Sequence, residues 1–324
     1  PMSSPRVLHV CIVRAFIVAF AVFSGFAGSR AVAAISFVPG DYYSSNYFSN
    51  TITQYDPGGN VVGSRTMSNE VRGITFGPDG LFYADLDLGA NGFTVVALST
   101  SGRGSGVIEQ SYSGSTYIAG NLSYGKITVT NQYLFVAGQD QLTRFLLGDP
   151  SSGTVIYTNN QVFDSVALPN GDLLVASAYL VQEITTNGTV VRTYSLVSSD
   201  GLGLNDIRGI AYDPKTNSLF VTEIGHTGAA LQLLKFDGTT GALEKSAVFN
   251  GDDIQLTLSG TLLVGSGSQS PTFFDEDLNP IGTLNGGQQM FVTQLVPEPS
   301  TLALFGSAIS ALTVCRFGWR RAKR

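Results

Sequence analysis

Cysteine is nearly missing: the chain of 324 residues holds two, Cys11 and Cys315, both in terminal apolar segments. Disulfides, a cysteine nucleophile and a Cys-rich zinc site are thereby excluded from the long stretch between them, which must cohere by packing and strand closure. Histidine is as scarce, and His226 is the one copy in that stretch, so a His-rich metal site is excluded too. Charged residues make up only 13%, too few for a charge-rich disordered chain, a coiled coil or a nucleic-acid-binding arm. Neither a Gly-x-Ser-x-Gly elbow nor a phosphate loop occurs.

What charge there is lies unevenly. Between Ile35 and Val296, ten Lys and Arg face 23 Asp and Glu, so the body carries −13 although the whole chain carries −6. Such a body repels phosphate backbones and anionic lipid, and no nucleic-acid partner is expected. Length alone would allow two domains, but all-β propellers reach this size as one unit.

Both ends read as sorting segments. Arg6 and Arg14 flank the start of an apolar run from Ala15 to Phe26, and Ala31-Val32-Ala33 supplies a small-residue cleavage site. Residues 1–33 are therefore expected to be a cleaved secretory signal, a short transmembrane helix being the rival reading. At the other end, Val296-Pro297-Glu298-Pro299-Ser300 precedes an apolar stretch from Leu302 to Cys315 and then Arg316, Arg320, Arg321, Lys323 and Arg324. Prolines break structure ahead of the apolar segment, and the basic cluster holds the tail inside by the positive-inside rule.

That order, with Pro297, Glu298 and Pro299 ahead of a short apolar helix and a basic tail, resembles the PEP-CTERM sorting signal, and 296–324 is assigned to it. The resemblance implies processing by an exosortase-type enzyme, passage through the inner membrane of a Gram-negative bacterium, and residence in the envelope, at the surface or in the matrix. Proteins of this kind are often associated with exopolysaccharide and biofilm.

The body, 34–295, is repetitive. A short apolar strand recurs as Ile35-Ser36-Phe37-Val38, Leu81-Phe82-Tyr83-Ala84, Leu134-Phe135-Val136-Ala137, Leu173-Leu174-Val175-Ala176, Leu219-Phe220-Val221-Thr222 and Leu262-Leu263-Val264-Gly265. Most copies follow another strand and a tight turn such as Gly77-Pro78-Asp79-Gly80 or Leu168-Pro169-Asn170-Gly171, where proline presets φ and the next residues tolerate positive φ. Alternating strands follow, including Thr94–Leu98 and Leu231–Asp237. Four strands in each period of roughly 40 to 50 residues predict a six-bladed β-propeller, a pair of β-sandwiches being the rival. The last strand, Met290–Leu295, lacks downstream partners, so ring closure is expected to pair it with three N-terminal strands.

The strand, Pro-Asp-Gly, strand repeats resemble NHL-type and gluconolactonase-like six-bladed propellers. The latter enzymes hold a divalent metal on the ring axis through Glu, Asn and Asp. This sequence departs from them, placing Arg208 in Asp206-Ile207-Arg208-Gly209, and Arg72 in Arg72-Gly73-Ile74, where asparagine precedes glycine, so no ligand set is carried over.

Chemistry is expected where loops enter the innermost strands and leave the second strands. Glu70, Asp164, Asp206 and Asp253 are the metal candidates there, since Ca²⁺ prefers six to eight oxygen ligands. The competing expectation is that Arg72 and Arg208 pair with neighbouring carboxylates and fill the channel. His226 near Glu223 is the candidate general base with its orienting partner, or else a solvent-facing loop residue. Tyr42-Tyr43-Ser44-Ser45-Asn46-Tyr47-Phe48 offers rings that stack on sugars or pack a strand. The leading expectation is an exported, non-enzymatic binding or scaffold propeller that engages exopolysaccharide or surface proteins and needs no cofactor. A metal-dependent, gluconolactonase-like hydrolase is the alternative.

Overall fold

A computed structural model of the chain describes residues 33–46, 48–89, 92–101, 106–114, 126–138, 140–224 and 231–295. The Pro297-Glu298-Pro299 motif, the basic tail and all of the signal segment but Ala33 lie outside the described residues, as does His226. Among the described residues no helix is long and apolar enough to cross a membrane.

The body is a six-bladed β-propeller. Blade 2 comprises Val71–Phe76, Leu81–Asp87, Phe93–Ser99 and Ile108–Gly114; blade 3, Ile127–Val129, Tyr133–Gly138, Gln141–Leu146 and Asp149–Thr158. Blade 4 comprises Val162–Ala167, Leu173–Ser177, Leu180–Ile184 and Val190–Tyr194; blade 5, Ile207–Asp213, Ser218–Glu223, Gln232–Asp237 and Leu243–Val248. Blade 6 runs from Asp253–Leu256 through Leu262–Gly265 and Thr272–Phe274 to Pro280–Thr283. Each blade is an antiparallel meander, innermost strand first.

Blade 1 closes the ring as the repeat predicts. Its innermost strand is the C-terminal Phe291–Gln294, which pairs with Tyr42–Ser45, followed outward by Thr51–Tyr55 and Val61–Thr66. Ile35–Val38, however, is not the N-terminal strand. Tyr42–Ser45 stands beside the innermost strand instead, Ala33–Ala34 pairs at the outer edge beyond Val61–Thr66, and Phe37 folds into the core with its ring 5.7 Å from that of Tyr43. The Tyr43 hydroxyl pins the segment by accepting from the Val38 N–H and donating to the Ser36 carbonyl, contacts that only the folded-back path provides.

The apolar runs identify second strands because those strands bury both faces: Leu173–Ser177 and Ser218–Glu223 are buried throughout. Outer strands such as Pro280–Thr283 are exposed throughout. The buried hydrophobic side chains form six clusters, each centred on a seam between adjacent blades. Packing between blades thus replaces a single central core and leaves the axis free for other groups.

Candidate functional site

The six innermost strands run in one direction, so they define an upper face where they begin and a lower face where they end. The upper face collects the charged candidates. In three blades the innermost strand carries a β-bulge near its start, which drops Arg72, Phe163 and Arg208 out of register with the second strand. A bulge re-aims a side chain, and all three residues are used. Arg72 pairs with Asp87. Arg208 holds Asp206 through Nε and Nη2 at 3.1 and 2.9 Å, while its guanidinium lies 5.5 Å from the centroid of the Phe163 ring on the neighbouring blade.

Asp206 takes up this pairing from a left-handed backbone, φ 50°, a conformation for which aspartate is among the better-suited residues. Its carboxyl is pushed up to about 6 by burial and by the nearby Asp252. Burial also raises Asp252, against the lowering influence of the Gly267 N–H it accepts at 2.7 Å and of Arg208.

On the axis beneath this layer lies a residue that the sequence reading passed over, Lys126. It directly precedes the short innermost strand of blade 3, and its Nζ donates to Asp164 Oδ2 at 3.2 Å, to Asp253 Oδ1 at 2.9 Å and to the Arg208 carbonyl at 2.8 Å. Both carboxylates reach one blade further, Asp164 Oδ2 accepting from the Ile210 N–H at 2.8 Å and Asp253 Oδ2 from the Val292 N–H at 2.9 Å. One ammonium and two aspartates therefore tie together blades 3, 4, 5, 6 and 1. Burial alone would favour neutral Lys126, yet the two carboxylates reverse this and hold its pKa above the usual lysine value. Asp164 is pushed up to about 6, burial and the Asp253 charge outweighing Lys126 and the Ile210 N–H.

This arrangement sorts the four metal candidates. Asp164 and Asp253 meet, but at an ammonium ion; Asp206 is held by Arg208; Glu70 is exposed on blade 2, where its carbonyl accepts from the Asp87 N–H. Each oxygen of Asp164 and Asp253 has a donor, so the axial pair suits Lys126 rather than a divalent cation. Among the described residues no three or more His, Cys, Asp or Glu side chains form a metal-holding group. Glu223 is fully buried, with Oε2 accepting from the Asn205 N–H at 3.1 Å. No pattern in the sequence reveals Lys126: it is a lone lysine directly before Ile127-Thr128-Val129.

The aromatic segment is packing at its start and exposed at its end. Tyr42 sits with its ring 5.0 Å from Phe273, Tyr43 is fully buried, and Phe48 is exposed, Tyr47 lying outside the described residues. Burial raises the pKa of both Tyr42 and Tyr43.

Below Lys126 the channel opens. A cavity of about 340 Å³ extends from Lys126, Asp164 and Asp253 down the innermost strands. A wider one of about 660 Å³ forms the lower mouth, and the two share Thr75, Val129, Ala167 and Gln255. The chain ends of the body also meet at this face: the Gly40 N–H donates to the Leu295 carbonyl at 3.0 Å and the Leu295 N–H to the Asp41 carbonyl at 3.2 Å.

No protein-family model matches the chain, and a comparison with curated proteins finds no match. Solved structures do match in fold. A chain of a nidogen/laminin complex aligns with a TM-score of 0.57 at 11% identity, covering 79% of this chain and 98% of that one. A protein of unknown function from Bacteroides caccae aligns with a TM-score of 0.54 at 13% identity, covering 80% and 99%. A functionally unknown protein from Desulfotomaculum acetoxidans aligns with a TM-score of 0.52 at 13% identity, covering 82% and 88%. At these identities the likeness is one of fold, and it agrees with the six-bladed ring built from the strand pairing.

Proposed function

We propose that this protein is an exported, non-enzymatic binding propeller of the Gram-negative envelope or extracellular matrix, engaging extracellular polysaccharide or a surface protein. One observation carries the reading: the upper end of the axis, where catalytic or metal-ligating groups would converge, is occupied by a self-satisfied Lys126, Asp164 and Asp253 cluster. A base or nucleophile must present a proton-accepting or attacking atom to a substrate, and here the axial carboxylate oxygens are already taken. The terminal segments support the location. The Pro297-Glu298-Pro299 motif, the apolar stretch and the basic tail are features on which an exosortase-type enzyme would act, after export on the N-terminal signal.

The test has two arms. The full chain and a chain lacking 296–324 are expressed in a Gram-negative host, and their retention in the surface and matrix fractions is compared; retention is expected only with the tail. In parallel, calcium is titrated into the purified chain by calorimetry, and lactone hydrolysis is followed with and without chelator. Stoichiometric calcium binding lost in Asp253→Asn, together with chelator-sensitive hydrolysis, would replace the binding reading with a metal-dependent hydrolase.

A further inference from the structure

The geometry points to the lower cavity as a binding site for the uncharged end of a neutral oligosaccharide chain, an assignment that rests on the reading of the protein as a binding module. Four observations converge on it. The first is an exclusion of charge. The body is rich in acidic residues, yet among the described residues no charged side chain lines the lower mouth, and only Lys126, Asp164 and Asp253 line the channel above it.

The second is the closed roof. Lys126 donates to two carboxylates and a carbonyl, and every oxygen of those carboxylates already accepts a hydrogen bond. The roof bears one positive and two negative charges, so an anionic sugar is repelled, while a cation finds no free acceptor. A charged group entering would be desolvated without a partner, which is costly.

The third is the chemistry of the walls. Hydroxyl and carboxamide groups come from Thr75, Gln132 and Gln255, and half-buried Phe76 and Tyr133 add ring surface. The Tyr133 ring is steadied on one face by Arg144, whose guanidinium lies 4.7 Å from its centroid and whose Nη1 donates to the Thr186 carbonyl at 2.8 Å. Hydroxyls, amides and aromatic edges together suit a polyhydroxyl ligand with both polar and apolar faces.

The fourth is topology. A channel crossed by the Lys126 cluster above and wider below suits a chain end entering from the lower mouth. A peptide end carries an ammonium or a carboxylate that this roof cannot pair; a neutral glycan ends in hydroxyls. The volumes, about 340 and 660 Å³, fall within the roughly 300–1,000 Å³ of small-ligand sites.

The experiment titrates the full chain by calorimetry with cellohexaose, maltohexaose and mannohexaose, with a mannuronate hexamer as the acidic comparison and hexa-alanine with free ends as the peptide comparison. Thr75→Trp and Gln255→Trp fill the collar shared by the two cavities, Gln132→Ala trims the exposed rim without touching the core, and Glu70→Gln alters the upper face. The expected result is binding of at least one neutral hexamer, weakened by about tenfold or more in each collar variant that keeps the wild-type thermal transition and weakened several-fold in Gln132→Ala. Glu70→Gln leaves it unchanged, and the mannuronate and peptide do not bind. Failure of all three neutral hexamers to bind overturns the assignment, as does binding indifferent to the collar and rim variants, or tighter binding of the acidic hexamer or the peptide. Loss of tail-dependent matrix retention, by contrast, would strike the broader reading and leave a measured hexamer affinity standing.

Discussion

Lys126 and Asp253, contributed by the third and sixth blades, meet on the propeller axis at 2.9 Å, with Asp164 completing the ammonium's carboxylate contacts at 3.2 Å. The ring is thereby cross-linked by charge on its axis, in addition to the apolar packing of its seams.

Replacing Lys126 by methionine leaves two carboxylates buried without their counter-ion. At neutral pH the variant is expected to lose about 3–5 kcal/mol in denaturant unfolding, the range for breaking a buried pair from one side. Adding Asp164→Asn and Asp253→Asn to Lys126→Met removes the stranded charge, and much of the stability should return. A triple variant no more stable than the single one would show that Lys126 acts through packing alone.

The pH dependence follows from the two carboxyls raised from 3.8 to about 6, Asp164 and Asp206. An acid whose folded pKa exceeds its unfolded value binds protons more tightly in the native state, so its contribution is fully present below the unfolded pKa and is lost as pH rises through the folded one. Stability should therefore fall as pH climbs from about 4 through about 6. Asp206→Asn, which tolerates the left-handed backbone and is partly solvent-facing, should flatten that slope in a series of thermal melts. A slope that is unchanged or reversed would assign the titration elsewhere.

Gly209 follows the bulged Arg208 and lies against the Lys126 cluster. A Cβ at this position would stand 3.0 Å from Lys126 Nζ and 3.1 Å from Asp253 Cα. Gly209→Ala is expected to push the ammonium off its carboxylates and cost about 1–3 kcal/mol, as overpacking does. In the Lys126→Met background one neighbour changes character and the penalty should shift, so a double-mutant cycle measures the coupling.

Ring closure depends on one late strand. The Val292 N–H donates to Asp253 Oδ2 at 2.9 Å, and Val292 pairs with Ser44. Val292→Pro deletes that donor, which points to the axis from the edge strand of blade 1, and leaves Asp253 Oδ2 without it, an effect expected to cost about 1–3 kcal/mol. Hydrogen exchange should show the loss first in the Tyr42–Ser45 and Phe291–Gln294 pair. Exchange rising uniformly across all blades would instead indicate a ring that unfolds as one unit.

The sequence alone determined the ring. Second strands buried on both faces must be short apolar runs, and Gly77-Pro78-Asp79-Gly80 can hardly be other than a turn, its Gly80 at φ 76°. Counting those runs fixed six blades, and the orphaned Met290–Leu295 segment implied closure with the N-terminal strands. The same reasoning misplaced the first strand, because Ile35–Val38 and Tyr42–Ser45 both alternate acceptably and tertiary contacts, the ladders of Tyr42–Ser45 and the Tyr43 hydroxyl among them, decide between them.

The site was legible only in outline. Asp164, Asp206 and Asp253 stood out as carboxylates near the starts of innermost strands, and Arg72 and Arg208 as their expected partners. Which carboxylate meets which cation was set by bulges and by the crossing of an axis, distances that join residues far apart in the chain. Lys126 was invisible for that reason: a lone lysine before a three-residue strand carries no pattern, and its role exists only because five blades bring two aspartates and backbone donors and acceptors to one point. Tertiary structure also decided the lining of the two cavities, since the cluster above and the lining below, uncharged among the described residues, depend on where six strands begin and end and not on any one of their sequences.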